Sequence, residues 1–226
     1  MATAPLRKTS LADQAYAAIR DLLLDGRRFR PGDKIGVEEL TRELEVSRSP
    51  VWAALNRLTA EGLVEVRPRT GVFFRGFDAV RLQELYAVRC ELEAMAVRLA
   101  CAAPRPDLEP LRRSLAAQDQ AAKAGDIDLY SQLATDFHDA LAALPGNAVL
   151  AEQVRGLNLR IRCMCLAINR AAGDPLRQAA EHAAIVAALA AGDAAAAEQA
   201  VRRHVAQFVG LAAALTCTAP KKKRPG

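Results

Sequence analysis

The segment Val46-Ser47-Arg48-Ser49-Pro50-Val51, with helical periodicity as far as Glu61-Gly62-Leu63, restricts this chain's fold more than any other stretch. The hydroxyl of Ser47 can satisfy a free amide of a first helical turn, and Pro50 is tolerated there because it has no amide to lose. From that start Val51, Ala54, Leu55 and Leu58 recur at three- and four-residue intervals and form a stripe to be buried. Arg48, Ser49, Trp52, Asn56 and Arg57 fall outside the stripe, so one face packs while a basic, polar face is offered to a partner.

The flanking segments fit the same unit. Upstream, residues 37–44 read as a short amphipathic helix, separated from the next by only Glu45 and Val46, which is the spacing of a helix-turn-helix. A longer helix from about Leu11 to Leu24 is entered through Ser10, with Asp13 as an imperfect capping box, and is closed by Asp25-Gly26. Downstream, Gly62 suits a helix end. Val64-Glu65-Val66-Arg67 and Val72-Phe73-Phe74, joined through Pro68-Arg69-Thr70-Gly71, read as a two-stranded hairpin.

This order resembles the winged-helix domain of the GntR family of bacterial transcription regulators. The residues carrying the resemblance are Arg30-Pro31-Gly32-Asp33-Lys34, Val46-Ser47-Arg48-Ser49-Pro50-Val51, Leu55 with Arg57-Leu58, and Glu61-Gly62-Leu63-Val64. The resemblance implies that Ser47, Arg48, Ser49 and Pro50 open a recognition helix in the major groove, with Gly71 at the wing tip near the minor groove. Arg48 suits a guanine edge, since a guanidinium can bond O6 and N7 together. Arg57, Arg67, Arg69 and Thr70 complete the expected DNA contacts. Where the family usually has Arg-Glu after the helix-opening Pro-Val, this chain has Trp52-Ala53. Trp52 suits either packing or a contact with DNA.

Charge follows the same division. Residues 1–76 hold 13 basic against 10 acidic side chains, residues 77–220 hold 14 against 16, and residues 221–226 hold four basic ones. Nucleic acid is therefore expected at the first domain, residues 1–76, and not at the second, residues 77–216. Residues 217–226, with Lys221-Lys222-Lys223-Arg224 between prolines, read as a disordered basic tail. No apolar run approaches the roughly 20 residues of a membrane helix, so a cytoplasmic protein is expected. Cys90, Cys101, Cys163, Cys165 and Cys217 have no paired metal-ligand spacing and read as reduced core residues.

After Gly76-Phe77-Asp78 helical periodicity takes over. Breaks at Pro104 to Pro106, Gly125, Pro145-Gly146, Gly173-Asp174-Pro175 and Gly192-Asp193 predict helices beginning near residues 79, 107, 126, 147, 175 and 194. The fold class is thus mainly α: a winged helix-turn-helix followed by an all-α bundle of six or seven helices. The chain's three histidines, His138, His182 and His204, all lie on these helices and on or beside their apolar faces. One inward histidine is ordinarily a hydrogen-bonded core residue. Three that converge are donors suited to a first-row metal held between helices.

Phe137-His138-Asp139-Ala140-Leu141, Glu181-His182-Ala183-Ala184-Ile185, Arg202-Arg203-His204-Val205 and the helix around Leu85 to Ala94 resemble the FCD effector domain of the FadR-type branch of that family. The resemblance implies a divalent metal, zinc or nickel, at His138, His182 and His204. Metal-binding members add an aspartate one helical turn before the first histidine. Here that position is Ala134, and Asp136 falls on roughly the opposite face. Either three histidines hold the metal and leave positions open, or they serve as donors to an anion. Arg89 and Arg162 are the candidate grips for an effector carboxylate, with ion pairs inside the bundle as the alternative.

One short recognition helix reads few base pairs, so a homodimer on a palindromic operator is expected, with a small organic acid shifting the dimer between arrangements. A metal-dependent enzyme is the competing reading, but no carboxylate stands at a spacing suited to a general base. A ligand-insensitive architectural DNA binder is the third.

Overall fold

The computed structural model describes residues 10–75, 79–103, 106–172 and 174–218, and for 165–172 and 211–218 the backbone alone. The boundary at Gly76-Phe77-Asp78, parts of the breaks at Pro104 and Gly173, and the basic tail from residue 219 onward lie outside the described residues. So do the side chains of Cys165 and Cys217. The chain divides into two compact units, Met1–Phe77 and Asp78–Gly226.

In the first unit α1 spans Leu11–Asp25, β1 Lys34–Ile35, α2 Val37–Glu43, α3 Arg48–Ala60, β2 Val64–Arg67 and β3 Gly71–Phe74. Ser10 and Asp13 form a complete capping box at α1, each side chain meeting the other's backbone amide, and Gly26 ends the helix in the left-handed region at φ 64°. α1 packs on α3, burying Ile19 and Leu23 with Val51, Leu55 and Leu58. The Tyr16 hydroxyl donates to Glu61 at 2.8 Å across that contact. The wing differs from the expected two strands. Lys34 and Ile35 pair antiparallel with Phe73 and Val72, giving a three-stranded sheet in the order β1-β3-β2. Two residues are too few to show a strand's alternation in sequence, yet Ile35, paired with Val72, is fully buried.

The second unit contains α4 Ala79–Ala102, α5 Glu109–Ala124, α6 Ile127–Ala143, α7 Ala148–Ala172, α8 Pro175–Ala190 and α9 Ala194–Thr218. Asp126 and Asp174 cap α6 and α8 through their side chains. α4 runs against α9, α5 against α6 and α8, and α6 against α7. Leu85, Val97, Leu111, Phe137, Leu141, Ile185, Val201 and Val205 fill the space between them. No helix among the described residues is long and apolar enough to cross a membrane.

Candidate functional site

In the first unit, Ser47 stands at the N-cap of α3, but its hydroxyl makes no capping bond, contrary to the expectation from its position. It is exposed, as are Arg48 and Ser49, while Pro50 is half-buried in the first turn. Arg48 is paired with Glu38 of α2 at 2.9 Å, both side chains largely in solvent. Such a pair contributes about 1 kcal/mol at most, so a nucleic-acid partner could displace Glu38. Trp52, for which packing and contact were both open, is 38% exposed on α3.

The wing presents Arg67, Arg69 and Thr70, all exposed. Arg67 is paired with Glu65 and stacks over the Phe73 ring. Arg69 holds φ 61°, a left-handed conformation costing a non-glycine residue about 1–2 kcal/mol. A glycine would avoid that cost, but this position keeps a guanidinium. Gly71 pairs with Arg67 to close the turn at φ 125°. The Arg57 guanidinium lies 3.7 Å from the centre of the Tyr16 ring and pairs with Asp13 and Glu61, tying α3 to α1 while the side chain stays 53% exposed. Nine residues along the helix from Arg48, it has turned toward α1. Lys34, which carries part of the resemblance but was not named as a DNA contact, lies exposed with its chain against Gly71 of the wing.

In the second unit the three histidines meet. His138 of α6, His182 of α8 and His204 of α9 are buried, at 4%, 1% and 1% exposure. Their Nε2 atoms converge: His182 to His204 is 3.1 Å and His204 to His138 is 3.3 Å. Each Nδ1 faces an oxygen on a different helix. His138 meets Glu93 Oε2 of α4 at 3.1 Å, His182 meets Gln118 Oε1 of α5 at 2.6 Å, and His204 meets Glu181 Oε2 of α8 at 3.0 Å. The Gln118 amide nitrogen donates to Ser114 Oγ at 3.0 Å, which leaves its oxygen toward His182. An imidazole that donates from Nδ1 keeps its Nε2 lone pair free. His138 Nε2 also has the Arg89 Nη2 donor at 3.1 Å, while the lone pairs of His182 and His204, directed at each other, repel unless a proton or a cation lies between them.

The spacing suits a cation. Nitrogen ligands about 2.1 Å from a zinc ion stand about 3.0–3.4 Å from one another, depending on the angle between them. An oxygen acceptor behind each ring is what holds a ligating histidine in orientation. Burial first, and then the neighbouring cations and imidazoles, hold all three rings well below the usual histidine range, so they are neutral, the form that ligates. The donor set therefore fits a divalent transition metal.

Arg89 is buried beside this cluster, its Nη2 3.1 Å from His138 Nε2. Its Nε lies 3.0 Å from Glu93 Oε1 without hydrogen-bond alignment, a contact of charge and not of a shared proton. Burial raises the Glu93 carboxyl, and the adjacent guanidinium offsets that in part. Arg89 also reaches Asn158, which donates to Asp139 at 2.8 Å. Arg89 thus takes the ion pair within the bundle that sequence left open, and it also lines a cavity of about 50 Å³ in front of the histidines. Arg162, Ala134, Asn158, Tyr86 and Tyr130 share that lining. Asp136 is exposed and turned away. Gln118 and Tyr130 escaped the sequence, and Glu93 was foreseen only as an ion-pair partner for Arg89, not as the acceptor behind His138. Gln118 carried a signal, as a polar residue in the same helical stripe as Leu111 and Ala121.

Among the cysteines, Cys163 is buried and Cys90 and Cys101 are half-buried free thiols. Burial raises the thiols of Cys90 and Cys101.

Two family descriptions match this chain: bacterial regulatory proteins, gntR family, over residues 11–74, and the FCD domain over residues 84–207. The chain is 42% identical over 137 residues to the Nta operon transcriptional regulator of Aminobacter aminovorans, covering 59% of this chain and 64% of that protein. It is 32% identical over 205 residues to a protein of Paenarthrobacter nicotinovorans named "Probable D-xylose utilization operon transcriptional repressor", covering 90% and 89%. Among solved structures, a GntR transcriptional regulator from Rhodococcus sp. RHA1 superposes with a TM-score of 0.79 at 27% identity, over 91% of this chain and 99% of that one. Escherichia coli McbR gives 0.78 at 25% identity, over 92% and 100%.

Proposed function

Because the chain belongs to the GntR family of bacterial regulatory proteins and carries its FCD domain, and so is a DNA-binding transcription regulator and not an enzyme, we propose the following working mechanism. It binds a palindromic operator as a homodimer, represses transcription there, and is released by a small organic acid sensed in the three-histidine cavity. The observation carrying the sensory half is the convergence of three buried Nε2 atoms on one point beside a small cavity.

On the DNA side, the start of α3 enters the major groove. Arg48 leaves Glu38 to bond a guanine edge, Ser47 and Ser49 meet phosphates, and Trp52 lies against sugar or a thymine methyl. Arg67, Arg69, Thr70 and the backbone at Gly71 follow the adjacent backbone or minor groove. Two copies related by two-fold symmetry read two half-sites, which supplies the specificity one short helix lacks. Repression follows the name of the relative aligned over most of the chain.

On the sensory side, His138, His182 and His204 would hold zinc or nickel, with Glu93, Gln118 and Glu181 fixing their rings. The metal, when bound, supplies positive charge that attracts an anionic effector. Arg89 and Arg162 stand on the cavity wall to receive a carboxylate. The effector regulates only by binding one dimer arrangement more tightly, by about 1–3 kcal/mol.

Selection of genomic DNA fragments by the purified protein, followed by sequencing, tests the DNA half. A shared palindrome is expected, with Arg48→Ala losing about 5- to 150-fold in affinity for it and little for random DNA. Sequence-blind enrichment that survives Arg48→Ala would overturn the reading and favour an architectural binder.

A further inference from the structure

Among the described residues of the first unit, the large apolar side chains left exposed are Leu11, Trp52 and Val66, and α3 carries Trp52. Among those residues its ring stacks on no aromatic or guanidinium group and its indole N–H has no acceptor. Successive residues of a helix stand about 100° apart. Arg48, Trp52 and Asn56, at four-residue steps, therefore trace a line that leads away from the buried stripe of Val51, Ala54, Leu55 and Leu58. All three are exposed. The other exposed positions beside the ring on that face, Ser49 and Ala53, are small, so neither holds a partner away from the indole.

An indole is mostly hydrocarbon surface, which gains from being covered. The partner of this face is anionic, since Arg48 beside the ring is held only by a solvent-exposed pair with Glu38. In the major groove of a duplex the base edges present donors and acceptors, with one apolar group among them, the C5 methyl of thymine. Arg48 and Asn56 on either side of the ring are both suited to base edges, a guanidinium to guanine and an amide to adenine. The ring between them therefore faces bases and not the backbone. Four residues advance about 6 Å along a helix, and stacked bases are about 3.4 Å apart. Trp52 thus meets a base pair about one or two steps from the guanine under Arg48.

We propose that Trp52 is a specificity-determining residue that reads the C5 methyl group of a pyrimidine in each half-site, beside the guanine read by Arg48. This rests on the reading that the start of α3 enters the major groove. The group recognised is the methyl and not thymine as a whole. A 5-methylcytosine, which carries its methyl on the same ring carbon, presents the same surface, so an unmodified cytosine at that position binds poorly until it is methylated. Arg48 and Trp52 thereby divide the readout, one by hydrogen bonds and the other by apolar contact.

The test uses the full-length protein and duplexes carrying the palindrome recovered by genomic selection. Each thymine of a half-site is replaced in turn by uracil, which removes the methyl and nothing else. One thymine, within about two base pairs of the guanine that Arg48→Ala ceases to read, should respond, with affinity falling about fourfold per half-site. Cytosine there should bind weakly and 5-methylcytosine should recover affinity. Trp52→Ala should weaken the thymine duplex and bind the thymine and uracil duplexes within about 1.5-fold of each other, whereas Trp52→Phe, which keeps an apolar ring, should retain part of the preference. The position is exposed, and melting of both variants checks that the unit is folded. Indifference of wild type to uracil at every thymine, a half-site with no thymine near that guanine, or a uracil effect that survives Trp52→Ala overturns the methyl reading alone, provided Arg48→Ala still abolishes the preference. Sequence-blind binding that survives Arg48→Ala overturns the major-groove reading and this one with it.

Discussion

Gln118 shows how one side chain sets the chemistry of another. Its amide nitrogen is committed to Ser114, so its oxygen faces His182 and the imidazole must donate from Nδ1. Replacing it by leucine keeps the volume roughly constant and the three ligands in place, but frees the ring to rotate or change tautomer. Gln118→Leu should therefore lower zinc or nickel affinity by about 10–100-fold, read by competition against a chromophoric chelator. Unchanged affinity would mean that packing alone, including the Phe137 ring stacked on His182 at 4.4 Å, orients the ligand. The histidines were legible in sequence because each sits on a helix at a known phase. Their acceptors were not, because Glu93, Gln118 and Glu181 come from three helices whose mutual rotation depends on packing that no local pattern encodes. The contact of Arg57 with Tyr16 was hidden for a related reason: its phase on α3 marks it as outside the core, and only the position of α1 brings the Tyr16 ring beneath it.

At the scale of elements, the helix starts were readable where a side chain caps them, as at Ser10, Asp126 and Asp174. β1 was not, since its two residues become a strand only by pairing with β3. That pairing makes the wing sensitive at Gly71. A Cβ there would lie 2.8 Å from the Lys34 Cε atom, which a flexible lysine can yield, but φ 125° cannot be yielded without opening the Arg67 pairing. Gly71→Ala should destabilise the first unit by about 1–3 kcal/mol and weaken operator binding, with urea unfolding followed through the fluorescence of Trp52, the chain's one tryptophan. The same probe reads α1 on α3. Tyr16→Phe removes the bonds to Glu61 but leaves the ring under Arg57. A loss of about 1–2 kcal/mol is expected, less than the 3 kcal/mol or more of Tyr16→Ala, which also removes the packed ring. Equal losses would show that the hydroxyl carries the contact.

For the molecule as a whole, the two units draw their stability from different sources. The first has a small apolar core, a capped helix and a short sheet. The second places two charged groups, Arg89 and Glu93, and three neutral histidines inside its bundle. Buried polar groups of that kind weaken a core unless something binds them. A ligand that binds only the folded form adds RT ln(1 + [L]/Kd), about 2.7 kcal/mol when free metal stands at a hundred times its Kd. In a helical unit of this size that corresponds to roughly 5–10 °C in melting temperature. Stripping the protein with a chelator should therefore lower the transition of the helical unit by that amount and restoring zinc or nickel should reverse it, while the first unit's transition stays fixed. Hydrogen exchange followed by mass spectrometry assigns the effect. Protection should fall in α4, α6, α8 and α9 and remain unchanged in α1 to α3. His182→Ala should remove the metal-dependent shift without reproducing the zinc-loaded melting temperature. If chelation leaves the helical unit untouched, the histidine cluster is a hydrogen-bonded core and holds no ion.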